Sequence, residues 1–210
     1  MFGIHDLTLF IISGLLLNIM PGPDSLLIMA RSATQGWRAG VAAAAGIGAG
    51  TMVHVLAAAI GLSAILATSA TAFSIVKYIG AAYILWMAVG LLRSTRAEAK
   101  ELVAVPPLPY RKIFVQGLLT NILNPKVALF FLAFVPQFID AHAPEKALAF
   151  IILGCIFNIN GMLWCVALAL FTAFASARIN VSPAVALWLN RVTGGLFIWL
   201  GVKLALSKQS

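Results

Sequence analysis

The sequence predicts an all-α integral membrane protein: six transmembrane helices forming two inverted three-helix repeats, with helices 1 and 4 broken at mid-membrane. Three observations lead there. Of 210 residues, 62% are hydrophobic and only 10% charged, whereas a soluble domain carries roughly 25% charged residues to face water. Apolar runs longer than the ~18 residues that mark a membrane span recur along nearly the whole chain, and mean hydropathy is +1.02. Finally, two of those runs repeat each other, and each is interrupted by proline.

The apolar segments cover approximately 7–33, 39–67, 71–92, 113–139, 146–173 and 184–206. Between the third and fourth lies the longest polar stretch, Arg93 to Lys112, which contains Pro106-Pro-Leu-Pro109 and reads as a linker. The expected organisation is therefore a first three-helix repeat over 1–95, a cytoplasmic linker over 96–111 and a second three-helix repeat over 112–210.

A net charge of +8 would suit nucleic acid, but the distribution argues against it. Lys and Arg collect in short connections between apolar runs, as the positive-inside rule requires. The connections after segments one, three and five hold Arg31, Arg38, Arg93, Arg96, Lys100, Arg111, Lys112, Arg178 and Arg191, against Lys77, Lys146, Lys203 and Lys208 on the other side. This bias puts the linker in the cytoplasm and both termini in the periplasm of a multi-pass inner-membrane protein. Residues 1–6 carry no Lys or Arg, and no small-residue cleavage site follows the first apolar run, so that run reads as a retained helix. The two cysteines, Cys155 and Cys165, lie about 15 Å apart along one helix, too far for a disulfide.

The repeat is the most informative feature. Gly14-Leu-Leu-Leu-Asn18-Ile-Met-Pro21 matches Gly117-Leu-Leu-Thr-Asn121-Ile-Leu-Asn124, and Leu26/Leu129 and Ala30/Ala133 extend the register. A weaker echo joins Gly80-Ala-Ala-Tyr83-Ile84 to Gly194-Gly-Leu-Phe197-Ile198. With three spans per half, the second half enters the membrane from the opposite side, so equivalent helices are related by a pseudo-two-fold axis in the membrane plane. Both repeated helices break. Pro21-Gly22-Pro23-Asp24 removes two N–H donors from the first, and Asn124-Pro125-Lys126 interrupts the fourth. Residues 7–20 alone rise only about 21 Å, short of the ~30 Å hydrocarbon core, so the helix must resume beyond the break.

Freed backbone polar groups at membrane depth are tolerated only where they are buried in protein or line a watery cavity. Asp24 and Lys126, read as the charges well inside the apolar segments, each sit at a break, and intramembrane ionisable groups are expensive and functional by default. The expectation is one cavity faced by Asp24 and Lys126, with Asn18, Asn121 and Asn124 beside them. There Lys126 and N–H groups at a half-helix start would take the carboxylate of an amino-acid zwitterion, and Asp24 its ammonium. Without substrate the two side chains could pair, and Asp24 could bind and release a proton. Secondary candidates are His54, with Thr51 nearby, and Asn158. A second small-residue pattern, Gly40, Ala44 and Gly48 with Gly46 and Gly50, predicts close helix packing.

The motifs resemble those of the LysE/RhtB amino-acid exporters. Asn18-Ile-Met-Pro-Gly-Pro-Asp24 looks like that family's N-x-x-P-G-P-D signature, and Asn121-Ile-Leu-Asn-Pro-Lys126 like its N-x-x-N-P-K signature. The stretch from Arg31 through Gly36 to Gly40 and the segment Gly80 to Trp86 also fit. The resemblance implies a proton-motive-force-driven exporter of amino acids or derivatives: homoserine, its lactone, threonine or leucine. It also implies functional roles for Asn18, Pro21, Gly22, Pro23, Asp24, Asn121, Asn124, Pro125 and Lys126.

The rival readings are weaker on the residues. A transmembrane thiol relay needs cysteines at the breaks, and the breaks hold none. A cation or metal-ion exporter of similar architecture needs clustered carboxylate or imidazole ligands, and an ammonium beside a lone aspartate repels a cation. No activated nucleophile with a partner base points to an enzyme, and no cofactor or structural metal is expected. The expected partners are a small amino-acid substrate and the lipid bilayer, not nucleic acid; a homo-oligomer is permitted but not required.

Overall fold

A computed structural model describes residues 2–62, 107–140 and 143–176, together with isolated positions between 75 and 93 and between 191 and 202. Most of the expected third and sixth spans, and most of the linker, lie outside the described residues. Among those described, the fold is all helical, with one isolated antiparallel bridge between Ile4 and Ile139.

The first expected span is two helices, α1 (Leu7–Ile19) and α2 (Pro23–Gln35), bent by 52° at the intervening residues. Pro21 and Pro23 cannot donate backbone N–H groups, so the ladder that would carry α1 onward has no donors at these positions. Proline is well suited to the opening turn of α2, where its N–H would have no partner anyway. Gly36, with φ +81°, turns the chain into α3 (Trp37–Ala57). The 21 residues of α3 rise about 31 Å, one hydrocarbon thickness. A π-helical turn over Ala58–Leu62 extends it.

Among the described residues from 110 onward the elements follow a similar order. Helix α4 (Tyr110–Ile122) ends before Asn124, α5 (Pro125–Leu129) restarts, and a π-helical turn (Phe130–Phe134) and a 3-10 turn (Val135–Phe138) carry it on. The axis bends by 48° between Tyr110–Ile122 and Lys126–Phe138. Helix α6 (Lys146–Ser176) has 31 residues, more than a perpendicular crossing needs. By length and composition, α3 with its extension and α6 can each cross a membrane, and each bent pair can make one more crossing.

Packing follows the small residues. A Cβ on Gly46 would collide with the Phe114 backbone, and one on Gly117 with the Ala43 carbonyl, so α3 and α4 cross at backbone contact. Two apolar clusters result. One gathers Phe10, Phe130, Phe131, Phe134, Phe138, Phe150 and Phe157. The other packs Ile28, Ala39, Ala43, Ala44, Ile47 and Ile113. Outside them, large apolar side chains face outward, including Ile60, Leu123, Leu163, Phe171 and Phe174, each at least two-thirds exposed. Such a surface suits lipid rather than water.

Candidate functional site

The two breaks meet at one cavity, on the seam between the apolar clusters. Asn18, Asp24, Asn121 and Lys126 all line it. Asp24 stands in the first turn of α2, only 9% exposed. Its Oδ2 accepts from Asn121 Nδ2 at 2.8 Å and Asn124 Nδ2 at 3.0 Å, so the carboxylate of the first half is held by two amides of the second. Its Oδ1 is buried without a hydrogen-bond partner among the described residues, and so is Asn18 Nδ2.

Lys126 crosses in the other direction. Its ammonium, 8% exposed, donates to Leu17 O at 3.2 Å and Met20 O at 3.1 Å. The local reason lies in the proline. A continuing helix would close the N–H of residue 21 on Leu17 O, and Pro21 has none. A cation at a helix C-terminus is also favoured by the macrodipole. The ammonium passes close beside Gly22, where a Cβ would lie 3.2 Å from Nζ, so a side chain there would push the ammonium aside by a few tenths of an ångström.

The second break is closed by the same logic. Pro125 cannot supply the N–H that would close on Asn121 O, and His54 Nε2 of α3 sits 3.0 Å from that oxygen. A carbonyl only accepts, so Nε2 carries the proton of this bond. The His54 ring lies parallel to Phe131, centroids 6.4 Å apart. Asn124 Oδ1 caps the restarted helix by accepting from Lys126 N at 3.0 Å. Thr51 Oγ1 donates to Ile47 O and reaches Asn121 Oδ1 at 3.4 Å.

The direct pairing of Asp24 and Lys126 that the sequence left open is not what the structure has. Each has its own neutral partners from the opposite half, and no ion pair within 4.0 Å joins them. The reason is that each break exposes polar groups of its own: carbonyls claim the ammonium, and amide donors claim the carboxylate. A second correction concerns Arg31, counted above as a connection charge. Because α2 runs to Gln35, Arg31 lies within the helix and is only 2% exposed, so Asp24 and Lys126 are not the only buried charges.

A description of the LysE type translocators matches residues 15–208, nearly the whole chain. The chain belongs to that family. Among relatives of this LysE type protein, the leucine efflux proteins of Salmonella typhimurium and Salmonella typhi are each 28% identical over 204 residues, covering 97% of this chain and 96% of theirs. An uncharacterized membrane protein of Pseudomonas aeruginosa is 31% identical over 218 residues, covering 99% of this chain and 98% of its own. No solved structure matches the chain significantly.

In this LysE type chain the cavity also takes residues that sequence reasoning passed over. Asn158, a secondary candidate, lines it together with Gly161, Met162 and Cys165 of α6. Their spacing of three and four places them on one helical face, a signal hidden by the uniformly apolar composition of α6. Ser25, next to Asp24, lines it too. Among Pro21, Gly22, Pro23 and Pro125, the role visible in the structure is to interrupt the helices and leave room. Helix α3 contributes Thr51 to the lining, whereas His54 acts from behind Asn121.

Proposed function

We propose that this chain is a secondary active exporter of neutral amino acids or their derivatives, of the homoserine, threonine and leucine class, working by proton antiport in the inner membrane. The single observation that carries the reading is the pair of unsatisfied groups facing one cavity: an acceptor on Asp24 Oδ1 and a donor on Asn18 Nδ2, beside the Lys126 ammonium. An amino-acid zwitterion supplies the missing partners of both. Its ammonium meets Asp24 Oδ1. Its carboxylate meets Asn18 Nδ2 and the third N–H of Lys126, whose other two donors are taken by Leu17 O and Met20 O. The leucine efflux proteins named above support this substrate class.

Exchange follows from the same charges. A buried carboxylate left with one unsatisfied oxygen is costly, so when the substrate ammonium leaves Asp24 a proton takes its place. Proton and substrate then occupy one oxygen in turn, which is the requirement for antiport. In this reading the chain has six spans in two inverted repeats, with α1–α2 and α4–α5 as broken spans and both termini periplasmic. The cavity has ≈ 30 Å³ open to the centres of water-sized molecules, space for about two waters, so binding requires one end to part. Toward the linker that end is the Arg31–Gln116–Gln35 contact. Away from it, the end is the cluster of Phe10, Phe134 and Phe138.

The test is counterflow of labelled leucine, threonine and homoserine in proteoliposomes with an imposed pH gradient. Asp24→Asn and Lys126→Met are expected to abolish exchange while the protein still inserts. Wild-type exchange by either variant would remove the site assignment. Leucine movement indifferent to the pH gradient would remove the proton.

A further inference from the structure

Beside its polar residues the cavity is lined by Leu17, Ile47, Val127, Phe157 and Met162, and among the described residues Asp24 and Lys126 are the only Asp, Glu, Lys or Arg that line it. With both charges matched to the zwitterion's own, this wall is left for the side chain. Within it, Met162 occupies a distinctive place. It packs against Gly48 of α3 so closely that a Cβ on Gly48 would lie 2.6 Å from Met162 Sδ. Helix α3 therefore lacks a side chain at the point where the thioether sulfur lies. Met162 is half-buried, and methionine is unbranched and able to repack where Ile47, Val127 and Phe157 are stiff.

We propose that Met162, seated against Gly48, is the specificity-determining residue of this carrier: its reach sets the size of the neutral aliphatic side chain accepted. The inference rests on the amino-acid reading above and adds to it the residue that measures the substrate. A ligand side chain enters the wall by displacing the Met162 terminus along the Gly48 groove. Bulk added at 48 drives the thioether back into the cavity, and bulk removed at 162 enlarges it. A charged side chain meets no counter-charge along the wall among the described residues and is rejected.

The experiment compares competition by unlabelled alanine, leucine, phenylalanine, lysine and glutamate in leucine counterflow, in wild type, Met162→Ala and Gly48→Ala. A pocket difference of a few methylenes shifts preference by roughly 10-fold or more. Met162→Ala is expected to raise phenylalanine relative to leucine by about that factor, and Gly48→Ala to lower leucine relative to alanine, the two shifts running in opposite directions of size. Lysine and glutamate are expected to compete in none of the three. Unchanged ratios in a variant that still exchanges leucine would overturn the proposal. If Met162→Ala fails to accumulate, Gly48→Ala decides alone, because the atom it meets, Sδ, lies near the end of a flexible side chain. Wild-type protein that exchanges no amino acid would instead refute the transport reading itself, so the two failures are distinguishable.

Discussion

Two regions flank the cavity, and they are built from opposite chemistry at matching places. The register that pairs Gly14 with Gly117 pairs Arg31 with Phe134 and Gln35 with Phe138. On one flank Arg31 donates to Gln116 Oε1 through Nη2 at 2.8 Å and Nε at 3.2 Å, and to Gln35 Oε1 through Nη1 at 3.4 Å. Gln35 also accepts from Leu108 N and donates to Leu108 O, tying α2 to the segment before α4. On the other flank Phe134 and Phe138 pack with centroids 5.1 Å apart, and Phe10 meets Phe138 edge-on at 5.2 Å. Backbone bonds from His5 N to Phe138 O and from Asp140 N to Gly3 O close that flank further. The difference teaches that a repeated sequence register does not require repeated contacts. Buried hydrogen bonds are directional and costly to leave half-made. Ring packing is many small contacts that give way by degrees.

Substitutions can break this contrast, and the largest effect is expected at the centre of the aromatic flank. Phe130 touches Phe10, Phe131, Phe134 and Phe157, so Phe130→Ala should destabilise by about 3–5 kcal/mol, read from denaturant unfolding in detergent. A loss under 1 kcal/mol would show that the rings only abut. Next comes the polar flank. Gln116→Leu removes the acceptor of two Arg31 donors and should cost about 2–3 kcal/mol in the same assay.

Gln35→Leu sharpens the contrast, since it removes both side-chain hydrogen bonds to the Leu108 backbone and the 3.4 Å bond from Arg31, and about 1–2 kcal/mol is expected. Amide exchange at Leu108 should accelerate in that variant and not in Phe130→Ala. The smallest effect is expected from Phe138→Leu, which keeps an apolar filling and should cost about 1 kcal/mol. If Phe138→Leu proved worse than Gln116→Leu, the two flanks would not differ in the way their chemistry implies.

Much of the site was legible because its signals are local. Proline and glycine at 21–23 and proline at 125 dictate where the helical ladder must stop, and a charge beside each stop is visible in any reading of the chain. Arg31 was missed because an arginine near the end of an apolar run looks the same in sequence whether it faces water or packs inward; only the length of α2 and the reach of Gln116, 85 residues away, distinguish the two. Apart from Asn158, the α6 lining escaped because a helix apolar on every face gives no periodicity to read. Most of the expected third and sixth spans lie outside the described residues.

Composition and the covalent nature of proline thus account for the membrane, the interruptions and the residue types gathered at them. Their partners were beyond its reach. Asp24 finds Asn121 and Asn124 about a hundred residues on, and Lys126 takes carbonyls of Leu17 and Met20 rather than the aspartate. A buried polar group settles on whichever donor or acceptor packing brings within 3 Å. That choice depends on how closely glycine-lined helices approach, a property of the assembled chain and not of any segment in it.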